Sequence, residues 1–119
     1  MIVTDIAQLR ALVDGPLPLP SPLPDGRFLA QVSGRDQVVI RWRWDDGRHL
    51  SVSVVDPSAV ADGEWRETTT HGRSVFVSGP GDPRGGQRAY TTIDGIVVAA
   101  GGSLSPDALA EIVATVELA

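Results

Sequence analysis

The residues that could carry out acid–base, nucleophilic or metal chemistry are few in this sequence. His49 and His71 are its two histidines, and it has no cysteine. A catalytic triad needs a base beside a nucleophile, and a zinc site needs three or four suitable ligands. We therefore interpret the two histidines as exposed polar residues, His71 in a hairpin turn and His49 at the start of a strand.

Three further patterns could suggest chemistry, and each has a simpler interpretation. The carboxylate pair Asp45-Asp46 is followed by glycine but lacks the spaced oxygen ligands of a calcium loop, so we predict a hairpin turn. Segment 79–86 is rich in glycine and proline, matches neither the Walker pattern nor GxGxxG, and predicts a loop. Ser51 and Ser53 alternate on a strand without a nucleophile elbow. The sequence therefore predicts a protein that is not an enzyme and has no cofactor and no metal site.

One pattern has a functional interpretation, the alternation Arg41-Trp42-Arg43-Trp44. These four residues could line a groove that stacks on or shields an apolar ligand. The alternative, which we favour, places both tryptophans in a core between sheet and helix, with both arginines in solvent. Interleaved arginine and tryptophan also occur on platforms for single-stranded nucleic acid. The net charge of −5 and the pI of about 4.8 argue against a nucleic-acid partner and against a polybasic membrane surface.

Composition indicates an ordinary globular chain. Its 119 residues are 42% hydrophobic and 21% charged, which predicts one domain spanning residues 1–119. No stretch approaches eighteen apolar residues, so we expect neither a membrane span nor a signal peptide in this chain. All ten basic residues are arginine, and lysine and asparagine are absent, which suggests a GC-rich bacterial genome.

The chain divides into four predicted parts. A short helix lies within residues 1–15, and a proline-rich, extended connector follows over residues 16–26. Residues 27–100 alternate with period two and carry frequent turn signals, which predicts an antiparallel sheet of about six to seven strands. A capped amphipathic helix over residues 105–118 closes the chain and must pack on one face of that sheet. The predicted fold class is therefore α+β, with a largely antiparallel, curved sheet.

A family resemblance rests on turns, helix caps and hydrophobic spacing rather than on catalytic motifs. The segments that carry it are Leu23-Pro24-Asp25-Gly26, Val38 to Trp44, His49 to Val55, Gly72 to Val77, Ile93 to Val98 and Leu104 to Leu109. Their order resembles the half-barrel modules related to lipoprotein-carrier and sigma-regulator sensor domains, which occur on the outer side of bacterial anti-sigma factors and lipoproteins. The resemblance implies a curved sheet that cradles a helix, with a concave side open to a lipid, peptide or partner protein. It carries over no catalytic residues.

Two function classes follow. The first is a non-catalytic binding or sensory domain of a bacterial regulator or envelope protein, which acts through a concave sheet surface or a protein interface. In that case the chain is a domain of a longer protein and lies outside the cytoplasm. The second is a stand-alone cytoplasmic interaction protein of the chaperone, antitoxin or immunity type, whose acidity suits a basic partner. A small enzyme with a cavity is a third, less favoured hypothesis.

Overall fold

The computed structural model describes residues 1–34, 37–61, 63–79 and 87–119. In this part of the chain the fold is α+β, as predicted. The helices are α1 (Ile6–Leu12), α2 (Ser58–Ala61) and α3 (Pro106–Ala114). The strands are β1 (Ile2–Val3), β2 (Pro18–Pro20), β3 (Arg27–Val32), β4 (Val38–Arg43), β5 (His49–Val55), β6 (Trp65–Thr70), β7 (Arg73–Ser78), β8 (Gln87–Ile93), β9 (Ile96–Gly102) and β10 (Val116–Leu118).

Eight strands form the main sheet in the order β1-β3-β4-β5-β9-β8-β7-β6, and every neighbouring pair is antiparallel. The main sheet has more strands than the predicted six or seven. The sequence did not reveal β1, because it has only two residues and carries no periodicity. The sheet is not closed, since β1 and β6 each have a neighbour on one side only among the described strands.

The inner face of the main sheet packs against α3. Ser105 Oγ accepts a hydrogen bond from the Ala108 N–H (3.2 Å), and Pro106 occupies the first turn, where no donor is needed. From there α3 crosses β7, β8 and β9. One core unites the inner face with α1, β2, α3 and β10, and its largest fully buried side chains are Trp42, Leu9, Leu17, Ile40, Leu50 and Leu109.

The closing helix is shorter than the predicted 105–118. It ends at Ala114, Thr115 leaves the helical conformation, and Val116–Leu118 form the strand β10. The sequence hides this boundary because Val116 continues the apolar stripe of the helix and also begins an apolar–polar–apolar alternation. Neither glycine nor proline marks the stop.

β10 pairs with the proline-rich segment, so that segment is a buried strand rather than only a connector. The Leu17 N–H donates to Ala119 O (3.1 Å), and the Ser21 N–H donates to Thr115 O (3.0 Å). Main-chain groups of a strand point alternately to its two sides, and proline is tolerated where its missing N–H faces away from the ladder. The Pro-Leu alternation satisfies this rule, because Pro18 and Pro20 fall on the side away from β10.

The predicted turns carry the expected backbone conformations where the structure describes them. His71 and Asp94 both have positive φ, each followed by a glycine with positive φ, as two-residue hairpin turns require. The short helix α2 interrupts the sheet strands and begins after Asp56. The Ser58 N–H donates to Asp56 Oδ1 (2.9 Å), and this bond lowers the pKa of Asp56. The predicted loop 79–86, apart from Gly79, lies outside the described residues.

Candidate functional site

The structure divides the Arg41–Trp44 segment between the two faces of the sheet. Trp42 is 1% exposed on the inner face and packs edge-to-face against Phe28, with 5.9 Å between the ring centroids. Arg41 and Arg43 are exposed on the opposite side, which we call the outer face. The structure therefore separates Trp42 from Arg41 and Arg43, whereas Arg43 and Trp44 both line a cavity of about 380 Å³ at the β4–β5 turn.

Trp44 lies beyond the end of β4 and is half-buried. Its indole N–H donates to Asp25 Oδ1 (2.8 Å), and the Arg48 guanidinium carbon lies 5.2 Å from the ring centroid. A side chain at Gly26 would meet the same ring, with its Cβ 2.9 Å from Trp44 Cε2. The Arg48 main-chain N–H and guanidinium both donate to Asp46, which lowers the pKa of that carboxyl. Trp44 thus anchors two turns to each other.

Trp44 also borders a cavity of about 430 Å³ between the proline-rich segment and α3. The Leu23 side chain, 48% exposed, lies at this cavity. Its other lining residues include Pro22, Leu104 and Ile112, so the walls are mainly apolar.

Three arginines come together on the outer face, and we call Arg27, Arg41 and Arg43 the arginine patch. The strand register places Arg27 directly opposite Arg43 and Leu29 opposite Arg41. Arg41 and Arg43 alternate along β4, so they project to the same side. None of the three guanidinium groups forms an ion pair or hydrogen bond with a described residue.

The arginine patch lines a cavity of about 740 Å³. Thr4, Phe28 and Leu29 complete the described lining, and none of the described lining residues is acidic. A volume of this size lies in the range of ligand-binding pockets, roughly 300–1,000 Å³. A second cavity of about 380 Å³ continues from Arg41 and Arg43 toward His49 and Ser51.

The charge distribution at the patch is unfavourable for the isolated chain. Like charges directly opposite each other on adjacent strands are destabilising. His49 lies opposite Arg43 on the other side, so no described cross-strand neighbour of Arg43 neutralises it. The chain as a whole has fifteen acidic residues against ten basic ones, yet none of the described acidic residues pairs with the patch. An arrangement of this kind can bind an anion.

The outer face also carries an aromatic cluster that the sequence analysis did not predict. The Tyr90 ring stacks on Phe76 (4.9 Å between centroids) and meets Trp65 edge-on (4.7 Å), while the Arg88 guanidinium lies 4.7 Å from the Trp65 ring. Burial of Tyr90 raises its pKa, and the nearby carboxylate of Glu67 raises it further. These residues come from β6, β7 and β8, so only the strand register reveals their proximity.

The remaining candidates from the sequence do not form a site. His71 Nε2 lies 2.6 Å from Glu111 Oε2 and so connects the β6–β7 turn to α3, with both side chains exposed. Among the described residues, no three histidine or carboxylate side chains come together as a metal site would require. No helix within the described ranges is long and apolar enough to cross a membrane.

Comparison with known proteins leaves the family open. No protein-family model matches this chain, and neither the curated proteins nor the solved structures give a significant match.

Proposed function

We propose that this protein is a non-catalytic binding domain that captures an anionic group on its arginine patch. The observation that supports the proposal is the convergence of three unpaired guanidinium groups on one cavity with no acidic lining residue among those described. Arginine binds carboxylates and phosphates through paired N–H donors, which gives both attraction and orientation. A bound anion would also relieve the repulsion between Arg27 and Arg43.

The proposal assigns binding rather than catalysis because the patch lacks a nucleophile–base pair. Thr4 and Ser51 line cavities that the patch arginines also line, and Ser51 Oγ donates to Gly101 O (3.4 Å). His49 borders the second cavity, and hydrogen bonds join its main chain to the Ser103 hydroxyl. Acid–base catalysis needs a side chain that is both positioned and tuned for proton transfer.

The wider setting that we propose follows from the resemblance to half-barrel sensor modules. In that setting the eight-stranded sheet is curved, and the domain belongs to a bacterial regulator or envelope protein. The anionic partner would then bind the sheet surface, as the resemblance implies for a lipid, peptide or protein. The basic character of the outer face around Arg27, Arg41 and Arg43 supports an anionic partner, although the whole chain is acidic.

The proposal is tested by following the arginine side chains during an anion titration. Millimolar sodium sulfate, with ionic strength held constant by sodium chloride, should give saturating shifts of the Nε–Hε resonances of Arg27, Arg41 and Arg43. Arg66, which lies on β6 with its guanidinium 4.0 Å from Asp107, serves as the internal control. Small, non-saturating changes shared by all four arginines would contradict the proposal.

A matched pair of variants provides a second measurement. At low salt, Arg43→Gln should raise the unfolding temperature, because it removes one of two opposed like charges. Arg66→Gln changes the net charge equally but removes only an exposed ion pair, so it should leave the unfolding temperature nearly unchanged. Equal shifts of the unfolding temperature in the two variants would mean that charge repulsion within the patch does not destabilise the fold.

A further inference from the structure

We infer that the anionic group is a carboxylate side chain of an extended partner peptide, which pairs with the open edge of β3 beside the arginine patch. This inference rests on the proposed function and specifies the ligand. It depends on three features of the structure: an unpaired main-chain position on β3, the spacing of the arginines, and the cavity that joins them.

The edge of β3 is covered over only half of its length. β1 lies opposite Gln31 and Ala30, and its register does not continue toward Arg27. The Val32 N–H donates to Met1 O (2.9 Å), and the Met1 nitrogen donates to Val32 O (3.1 Å). β1 ends at Val3, and Thr4 and Asp5 lead into α1, so residues 27–29 have a paired strand on the β4 side only.

The direction of the free main-chain groups follows from this register. In an antiparallel ladder the N–H and C=O of one residue point to the same neighbour, and the direction alternates along the strand. Because Val32 points toward β1, Ala30 and Phe28 point the same way. No described residue donates to or accepts from the Phe28 main chain on that side. Phe28 therefore offers one donor and one acceptor to an added strand.

An added strand would present its side chains to the arginine patch in the correct register. The residue paired with Phe28 would direct its side chain toward the inner face, and its neighbour on one side would lie on the outer face beside Arg27. The place beside Leu29 comes next after Val3 in the β1 register and belongs to Thr4. Outer-face positions of a strand repeat every two residues, roughly 7 Å apart, which is also the spacing of Arg41 and Arg43 along β4. An acidic residue beside Arg27 would meet the Arg27 guanidinium directly, with Arg43 opposite Arg27 on the next strand.

The cavity lies at the exposed edge of β3. The lining of the 740 Å³ cavity combines the edge positions Thr4, Phe28 and Leu29 with the three arginine side chains. The Phe28 ring itself packs on Trp42 at the inner face, so its main chain is the part that an added strand would contact. A small anion or a lipid headgroup would use the guanidinium groups alone, whereas a peptide would also satisfy the main chain.

The test uses a synthetic peptide labelled with fluorescein, Val-Glu-Val-Glu-Val-Glu-Val, followed by fluorescence anisotropy. We expect the intact chain to bind it at least about tenfold more tightly than the same peptide with glutamine for glutamate, since the charge-assisted bonds are lost. Arg41→Gln and Arg43→Gln should each weaken binding by about tenfold, and Arg66→Gln should not. Failure of the glutamate peptide to bind at millimolar concentration would overturn the inference.

Two N-methylated peptides separate strand pairing from charge attraction. Methylation of the valine nitrogens blocks the side that faces Phe28, whereas methylation of the glutamate nitrogens blocks the side that faces solvent. Strand addition requires the valine-methylated peptide to lose binding and the glutamate-methylated peptide to keep it. In parallel, binding should slow hydrogen exchange of the Phe28 amide, while the Leu29 amide, directed toward β4, should exchange slowly in both states.

The outcomes distinguish this inference from the proposed function. Equal binding of both N-methylated peptides would overturn strand pairing and leave the anion site intact. Sulfate-induced shifts of the arginine resonances without any peptide binding would likewise overturn strand pairing and leave the anion site intact. The absence of both sulfate shifts and peptide binding would overturn both proposals. Tighter binding to vesicles containing phosphatidylglycerol than to the glutamate peptide, with no binding to phosphatidylcholine vesicles, would identify a lipid headgroup as the anion and overturn the peptide.

Discussion

At the scale of single residues, Tyr90 and the arginine patch show how the sheet brings together side chains that are distant in the chain. Tyr90 is the only tyrosine, and it lies between the rings of Trp65 and Phe76. Arg27 and Arg43 are brought opposite each other in the same way, by register alone. The aromatic contacts stabilise the fold, since such ring pairs contribute about 0.5–1.5 kcal/mol each. The arginine pair places two like charges opposite each other, and the proposed function gives this arrangement a role in binding an anion.

The raised pKa of Tyr90 predicts a loss of stability at alkaline pH. Burial, followed by the charge of Glu67, raises the Tyr90 pKa above the usual value of 10.0. Between that value and the folded pKa, the native state keeps a proton that the unfolded chain has lost, so stability falls as pH rises. Below pH 10 the tyrosine is protonated in both the folded and the unfolded state, so the stability that its buried neutral form provides is fully present. The ultraviolet absorbance of tyrosinate measures the titration without interference from another tyrosine.

Glu67→Gln provides the matched control for this titration. It removes the negative charge and leaves the burial, so the Tyr90 pKa should move back toward its usual value without reaching it. An unchanged titration curve in this variant would show that the carboxylate does not act on the ring.

At the scale of secondary-structure elements, the end of α3 depends on one side chain from β7. Arg73 Nη1 donates to Val113 O (3.0 Å) and to Val116 O (2.9 Å). The last carbonyls of a helix have no partners within the helix, and a cation there also interacts favourably with its dipole. Arg73 thus joins the helix, the following strand and the main sheet.

Arg73→Met should lower the free energy of unfolding by about 2–4 kcal/mol, because two charge-assisted hydrogen bonds are lost. Methionine keeps much of the aliphatic side chain, so the loss reflects the guanidinium group. Arg66→Met is the control, with an expected change below about 1 kcal/mol because its ion pair is exposed. Urea unfolding measures both, and equal unfolding midpoints would contradict the bridging role of Arg73.

At the scale of the whole molecule, the proline-rich segment and the C-terminal strand close the core together. The proline-rich segment and the C-terminal residues form one two-stranded sheet, and its Leu17 is 2% exposed within the common core. A segment that reads as a linker is therefore a part of the hydrophobic core. Its removal would expose the inner face of the main sheet.

Leu17→Ala should destabilise the protein by about 2–5 kcal/mol, since it leaves a cavity in a packed core. Leu23→Ala, in the same proline-rich segment but with a 48% exposed side chain, should change stability by less than about 1 kcal/mol. Thermal or urea unfolding compares the two variants directly. Similar small losses in both would mean that the segment only connects α1 to β3.

The sequence alone was sufficient for features that depend on neighbouring residues. The Ser-Pro-Asp start of α3, the Asp-Gly turn between β8 and β9 and the alternation along β4 and β5 each depend on a few adjacent residues. The same local rules predicted the fold class and the separation of Trp42 and Arg41 onto opposite faces. The Asp56-Pro57-Ser58 start of α2 carried a usable signal of the same kind, since proline favours the first turn of a helix.

Only the tertiary structure decided the features that depend on residues far apart in the chain. β10 became a strand because Leu17 to Ser21 offered it a partner, and the proline alternation was compatible with that partner only in one register. The arginine patch exists because β3 and β4 align Arg27 with Arg43, and the open edge at Phe28 exists because β1 stops at Val3. Strand pairing is a contact between distant segments, and local propensity does not specify it.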